Sequence, residues 1–278
     1  MKNALTLSQI NIYPIKSLGG ISVETAMVQP RGLQYDRRWM LVDEAGRFLT
    51  QRTFAEMALL QVSLLADGLE VRHKTKDITP FLIPFEPATQ HIYQVQIWED
   101  ICPAVEVSST ANKWFTAALD RFCRLVYMPD TTQRQADLDY AKAGDIVSFA
   151  DGYPILLIGE SSLADLNSRL SHPVPMNRFR PNLVFTGGAP FAEDHWDHFR
   201  IGDIAFRGVK PCGRCLVTTI DQGTAQKSPE PLRTLASYRT PPGKNKILFG
   251  QNVIPDTYFG LLKIGDKIQL EETFLTPV

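Results

Sequence analysis

The run Ile204-Ala205-Phe206-Arg207-Gly208-Val209-Lys210-Pro211-Cys212-Gly213-Arg214-Cys215-Leu216-Val217-Thr218-Thr219-Ile220 sets two β-branched and aromatic stretches on either side of a Cys-x-x-Cys motif. Such residues fit a pleated, half-buried surface, so Ile204–Val209 and Leu216–Ile220 both read as strands. The same reading extends through much of the chain. Before residue 108 it gives strands at Leu5–Tyr13, Ile21–Gln29, Arg38–Asp43, Leu59–Leu65, Leu69–His73, Gln94–Trp98 and Ile101–Val107, separated by turn signals such as Asp67-Gly68 and Glu99-Asp100. That spacing predicts a barrel or curled sheet. Apolar residues at helical intervals predict a helix over Ser109–Leu119 behind a serine cap.

Thr131–Gly144 is polar and reads as an excursion between two units. Beyond it lie a buried strand at Pro154–Ile158, a helix opened by the capping-box spacing Ser162-Leu163-Ala164-Asp165 and running to Leu170, and a short helix starting at Pro231. Further strands fall at Asn182–Thr186, Ile247–Phe249 and Lys267–Leu270. The fold class is therefore mainly β with some α (α+β), in two strand-rich units. We set them at residues 1–125 and 126–278.

Lys and Arg number 29 against 30 Asp and Glu in 278 residues, so no basic excess points to a nucleic acid polymer as partner. No stretch approaches the roughly 18 apolar residues of a membrane span, and the start of the chain lacks a sustained apolar region. These features predict a cytoplasmic protein with reduced thiols. Cys102 and Cys123 lie among apolar neighbours and read as core. There is no Walker loop, no Gly-x-Gly-x-x-Gly after a strand and no Gly-x-Ser-x-Gly elbow, which leaves nucleotide hydrolysis, nicotinamide binding and serine hydrolysis without support.

Three readings of Cys212 and Cys215 stand side by side. A redox dithiol requires the first sulfur at a helix N-terminus, and the strand-like residues after the pair argue against one. His195 and His198, at His-x-x-His spacing, complete a Cys₂His₂ set for zinc. Alternatively, one cysteine ligates a soft metal while Lys210 and Arg214 hold an anionic cofactor and favour the thiolate. Elsewhere Lys16 and Ser17 follow a strand end, Arg37 precedes a strand, Arg178 and Arg180 flank a proline-fixed strand entry, and Asp151-Gly152-Tyr153 forms a turn.

Read together, Ile12-Tyr13-Pro14-Ile15-Lys16-Ser17, Asp36-Arg37, Ser162 through Leu170, Phe179-Arg180-Pro181-Asn182, Ile201-Gly202-Asp203 and Arg214-Cys215 with Thr218-Thr219-Ile220-Asp221 resemble the MOSC superfamily. The resemblance is to the branch with an N-terminal β-barrel domain that includes the mitochondrial amidoxime-reducing component. It implies a MOSC β-barrel domain packed against an N-terminal β-barrel-like domain, and a molybdenum cofactor (molybdopterin) whose metal is held by Cys215. It places cofactor contacts at Lys16, Ser17, Arg37, Asp151, Tyr153, Arg180, Asn182, Gly213, Arg214 and Asn252. Animal relatives carry serine at the positions of Tyr153 and Gly213. The implied activity, with Cys215 as the catalytic residue, is reduction of N-hydroxylated compounds such as hydroxylamines, amidoximes and N-hydroxylated bases. No Cys-x₄-Cys-x₂-Cys occurs, so the expected electron donor is a separate flavoprotein or iron–sulfur protein. A cofactor carrier or sulfur-transfer protein without turnover is the alternative that the same resemblance allows.

Overall fold

A computed structural model describes residues 4–271 of the chain; Met1–Asn3 and the chain end at Val278 lie outside the described residues. Strands dominate. The largest sheet has eight, in the spatial order Ile21–Val23, Thr6–Ile12, Leu183–Thr186, Ile155–Gly159, Leu248–Pro255, Ile204–Gly213, His198–Ile201 and Ile268–Leu270. It curls back on itself: Thr6 bridges Lys267, and Leu7 N–H donates to the Asp266 carbonyl at 2.9 Å. This closure leaves little free edge and encloses a core of Leu7, Ile10, Leu157, Phe185, Phe199, Phe206 and Val253, all fully buried. Ile155–Gly159 and Leu183–Thr186 are parallel, joined by a crossover through the helix Glu160–Ser168, while the other pairs are antiparallel. Strand Thr6–Ile12, from the start of the chain, is thus built into a sheet whose other members, Ile21–Val23 apart, come from residues 155–270.

The remaining early residues form hairpins. Trp39–Val42, Arg124–Tyr127, Asp100–Glu106 and Ile92–Ile97 make a four-stranded sheet, and Leu60–Leu64, Gly68–His73 and Phe81–Pro84 a three-stranded one. A helix at Ser109–Leu119 packs Ala111, Phe115, Ala118 and Leu119 against Trp39, Leu60, Val71 and Leu125, and its first turn is capped by the Ser108 hydroxyl, which accepts from Ala111 N–H at 3.0 Å. The edge strand Phe81–Pro84 ends on a proline, where the missing N–H disrupts no ladder.

Several expectations are corrected. Leu216–Thr219 is a 3₁₀ turn, not a strand, because Thr218 and Thr219 hydroxyls donate to the Cys215 and Leu216 carbonyls at 3.0 and 2.7 Å and bind the backbone locally. The helix expected from Ser162 starts at Glu160 without a side-chain cap; the Ser162 hydroxyl turns instead to buried Glu193, 2.8 Å away. Ile21–Gln29 breaks at Glu24 into two strands of different sheets, and the strand expected at Ile247–Phe249 starts at Leu248 and runs on to Pro255. Among the described residues, no helix is long and apolar enough to cross a membrane.

Candidate functional site

The path into the site begins at Tyr13, at the end of strand Thr6–Ile12. Its ring is sandwiched between two guanidinium groups, Arg37 at 4.4 Å and Arg180 at 4.3 Å, and its hydroxyl donates to the Pro181 carbonyl at 3.1 Å. The fit is close enough that a Cβ on Gly20 would fall 2.4 Å from the ring. Burial pushes the Tyr13 phenol up to about 12, against the pull of the two arginines. Tyr13 therefore works as a neutral spacer that aligns two cations.

Those cations differ in their other contacts. Arg37 is neutralised by Asp36 at 2.6 Å and donates to Asn182 Oδ1 at 3.0 Å. Asn182, almost fully buried, also accepts from Leu156 N–H and donates to the Asn11 carbonyl, so it ties Arg37 to two strands. Arg180 has only a long contact, 3.5 Å, to Gln222. Burial lowers its pKa to about 10, partly offset by Tyr13. Arg214 donates to the Phe179 carbonyl at 2.6 Å and to Cys212 Sγ at 3.1 Å, and its Nε is buried without an acceptor. Arg180 and Arg214 form no salt bridge among the described residues.

On the facing wall, Lys16 is buried and donates to the Phe149 carbonyl and to Asp151 Oδ1, both at 2.7 Å. Burial lowers its pKa to about 8, opposed by Asp151. Asp151 is ringed by protein, yet 56% of its side chain faces the opening; burial disfavours its charge, but Lys16 and Arg52 outweigh that and hold the carboxyl well below the usual carboxylate range. Arg52 donates through Nε to Cys215 Sγ at 3.2 Å and through Nη2 to Asp151 at 3.1 Å. Ser17, Arg37 and Arg180 all have left-handed backbones, with φ of 67°, 49° and 55°. Such conformations cost energy in non-glycine residues and tend to collect at binding sites.

All eleven predicted positions line one open cleft: Lys16, Ser17, Arg37, Asp151, Tyr153, Arg180, Asn182, Gly213, Arg214, Cys215 and Asn252. Thr50 and Arg52 line it too and had no signal in the sequence, since their place depends on contacts with residues far along the chain. Other readings change. Tyr153 turns its hydroxyl to Asp137 Oδ2, 3.2 Å away, so it offers the cleft a ring and not a free hydroxyl. Lys210 is not among the lining residues; it lies over Tyr140 and Tyr153 and near Asp137, so the cation beside Cys215 is Arg52. Arg178 is structural, donating to the Thr218 carbonyl at 2.8 Å. Cys102 and Cys123 are buried, with burial pushing both thiols up. Cys212 sits within strand Ile204–Gly213, which removes the helix N-terminus that a dithiol needs at its first sulfur. Among the described residues, no group of three or more His, Cys, Asp or Glu side chains is placed to hold a metal, so the zinc reading with His195 and His198 fails.

Comparison with known proteins agrees with this layout. Residues 4–121 match the MOSC N-terminal beta barrel domain and residues 144–269 the MOSC domain. Mitochondrial amidoxime-reducing component 1 of Mus musculus is 34% identical over 281 residues, covering 95% of this chain and 82% of that protein. Its Homo sapiens counterpart is 33% identical over 282 residues with the same coverage. Molybdenum cofactor sulfurase of Oryza sativa subsp. japonica is 34% identical over 263 residues, covering 88% of this chain but only 32% of that protein. The chain belongs to the MOSC superfamily, in the branch that joins an N-terminal MOSC β-barrel domain to a MOSC domain and that includes the mitochondrial amidoxime-reducing components.

Proposed function

We propose that the cleft binds a molybdenum–pterin cofactor, with Cys215 as the metal ligand, and that the chain reduces N-hydroxylated compounds with it. The observation that carries this reading is the unbalanced charge: among the described residues, Arg180 and Arg214 face the cleft without a carboxylate, and the Arg214 Nε is buried with no acceptor. Forked donors in that state suit a phosphate group, whose oxygens accept them in pairs. A thiolate is the ligand type that a soft metal takes, so the donor set fits the cofactor at both ends.

When bound, the metal supplies two electrons to the N–O bond, and the overall reaction takes up two protons and releases water. The protein's own work is binding and orientation. Arg180 and Arg214 hold the anionic end, with Ser17, Asn252 and the Gly213 backbone beside them. Asp151 braces Lys16 and Arg52. Lys16 Nζ holds a proton that exchanges near neutral pH, because burial has brought its pKa to about 8. Electrons come from a separate flavoprotein or iron–sulfur protein, and the four free cysteines suit a reducing compartment such as the cytoplasm.

The likeness to molybdenum cofactor sulfurase across 88% of the chain favours one other reading, a carrier or sulfur-transfer protein that holds the same cofactor without turnover. The discriminating experiment supplies molybdenum-loaded protein with reduced viologen and either hydroxylamine or an amidoxime. Formation of ammonia or the amidine is expected. Full metal loading with no product would sink the reductase reading in favour of the carrier.

A further inference from the structure

Arg52 makes a contact that the other cleft cations do not. Lys16 and Arg37 donate to oxygens, and Arg214 reaches the neighbouring thiol of Cys212, whereas Arg52 aims Nε–H at the sulfur of Cys215, 3.2 Å away. That aim is fixed from three sides. Nη2 donates to Asp151 at 3.1 Å, and the guanidinium lies 4.3 Å from the Trp98 ring, which itself donates its indole N–H to the other Asp151 oxygen at 3.3 Å. Trp98 adopts a left-handed backbone, φ 54°, at a hairpin tip, and packs edge-on against Phe48. Behind Arg52, the adjacent Gln51 is fully buried, exchanges amide hydrogen bonds with Gln222 in both directions and donates to the Ser17 carbonyl. The backbone that carries Arg52 is therefore anchored as firmly as its side chain.

We infer that Arg52 is a positioning residue for the metal ligand: its Nε–H sets the orientation of the Cys215 sulfur, so the N-terminal half completes a metal site whose ligand lies in the C-terminal half. The inference rests on the cofactor reading above. A sulfur that accepts one fixed N–H presents its remaining lone pairs in a fixed direction, and groups that orient a metal ligand are worth about 10- to 100-fold in metal affinity. Arg52 meets the sulfur and not Arg180 or Arg214, so it acts on the metal and not on the pterin.

The test is made on the full chain produced with its cofactor, measuring molybdenum by elemental analysis and pterin by fluorescence after oxidation. Wild-type protein carries the two in equal amounts. Arg52→Ala keeps pterin within about twofold of wild type while its molybdenum-to-pterin ratio falls at least about tenfold, and Arg52→Lys, which keeps a charged donor, recovers part of that loss. Should Arg52→Ala fail to fold, Arg52→Met keeps the apolar stem over Trp98, removes every donor, and is read by the same two assays. An unchanged ratio overturns the inference. So does parallel loss of pterin and molybdenum, which would make Arg52 a holder of the whole cofactor. Absence of both from wild-type protein overturns the cofactor reading first, and this inference with it.

Discussion

The two halves of the chain bring cations to the same cleft in opposite states. Those from the first half arrive already matched: Arg37 with Asp36 at 2.6 Å, Lys16 with Asp151 at 2.7 Å, and Arg52 with Asp151 and the Cys215 sulfur. Those from the second half, Arg180 and Arg214, have carbonyl, amide or thiol partners and, among the described residues, no carboxylate. A matched cation gives shape at little net electrostatic gain, whereas an unmatched one stores attraction for an incoming anion and costs stability until it arrives. The first half thus builds the wall, and the second half carries the charge left over for a ligand.

The largest effect sought is at the metal ligand. Cys215→Ser is expected to abolish molybdenum retention, while Cys212→Ser, altering a sulfur held by Arg214, leaves most of it. Elemental analysis of both variants decides it, and the reverse pattern would move the ligand to Cys212.

Next come the two arginines that share the Tyr13 ring but differ in their other partners. Arg37→Met strands the buried Asp36 carboxylate and should destabilise the cofactor-free protein by about 3–5 kcal/mol. Burial already raises the Asp36 pKa above its ordinary value, so the folded state binds its proton more tightly than the unfolded one. Stability from this group is therefore lost as pH rises, and the Arg37→Met defect should ease toward acid. Arg180→Met removes a cation that burial disfavours, so the cofactor-free protein should gain on the order of 1 kcal/mol while pterin retention falls roughly tenfold. Urea unfolding and pterin assay together test the contrast. Equal destabilisation by both substitutions would break it.

How much of this was legible beforehand depends on how local the cause was. Hairpins marked by Asp67-Gly68 and Glu99-Asp100, and the helix behind Ser108, follow from signals a few residues long and fall where the sequence put them. Leu216–Ile220 misled because two threonine hydroxyls close a turn that β propensity alone does not register. The cleft positions could be listed only through family resemblance, since they converge from segments far apart in sequence. Arg52 was out of reach on any local ground: its roles depend on Trp98, 46 residues on, and on Cys215, 163 residues on. Nearness in sequence to Cys215 points Lys210 to the site, and strand direction carries it to the Tyr140 and Tyr153 rings instead.

A smaller effect tests whether the matched wall stays matched. Lys16 is charged below about pH 8 and loses its charge above, which leaves Asp151 facing the cleft with Arg52 alone to balance it. Retention of the anionic cofactor should therefore weaken by about tenfold as pH rises through 8, measured as the rate of pterin loss. Asp151 raises the Lys16 pKa, so Asp151→Asn should move that step to lower pH. A step that stays in place would mean that another group titrates.

The smallest expected effect lies where the two halves meet the question of backbone against side chain. Gly213 ends strand Ile204–Gly213, is exposed and has no left-handed requirement, and a Cβ built there would come no nearer than 3.8 Å to Lys246. Nothing in the packing demands glycine. Gly213→Ser should therefore leave stability within about 0.5 kcal/mol of wild type. The added hydroxyl stands beside the two unmatched arginines, where it supplies one more donor to a phosphate, so pterin retention should rise about two- to threefold. A fall in retention at unchanged stability would show instead that the ligand approaches the bare backbone at Gly213 too closely for any side chain, placing the close contact on the chain itself and not on the charges around it.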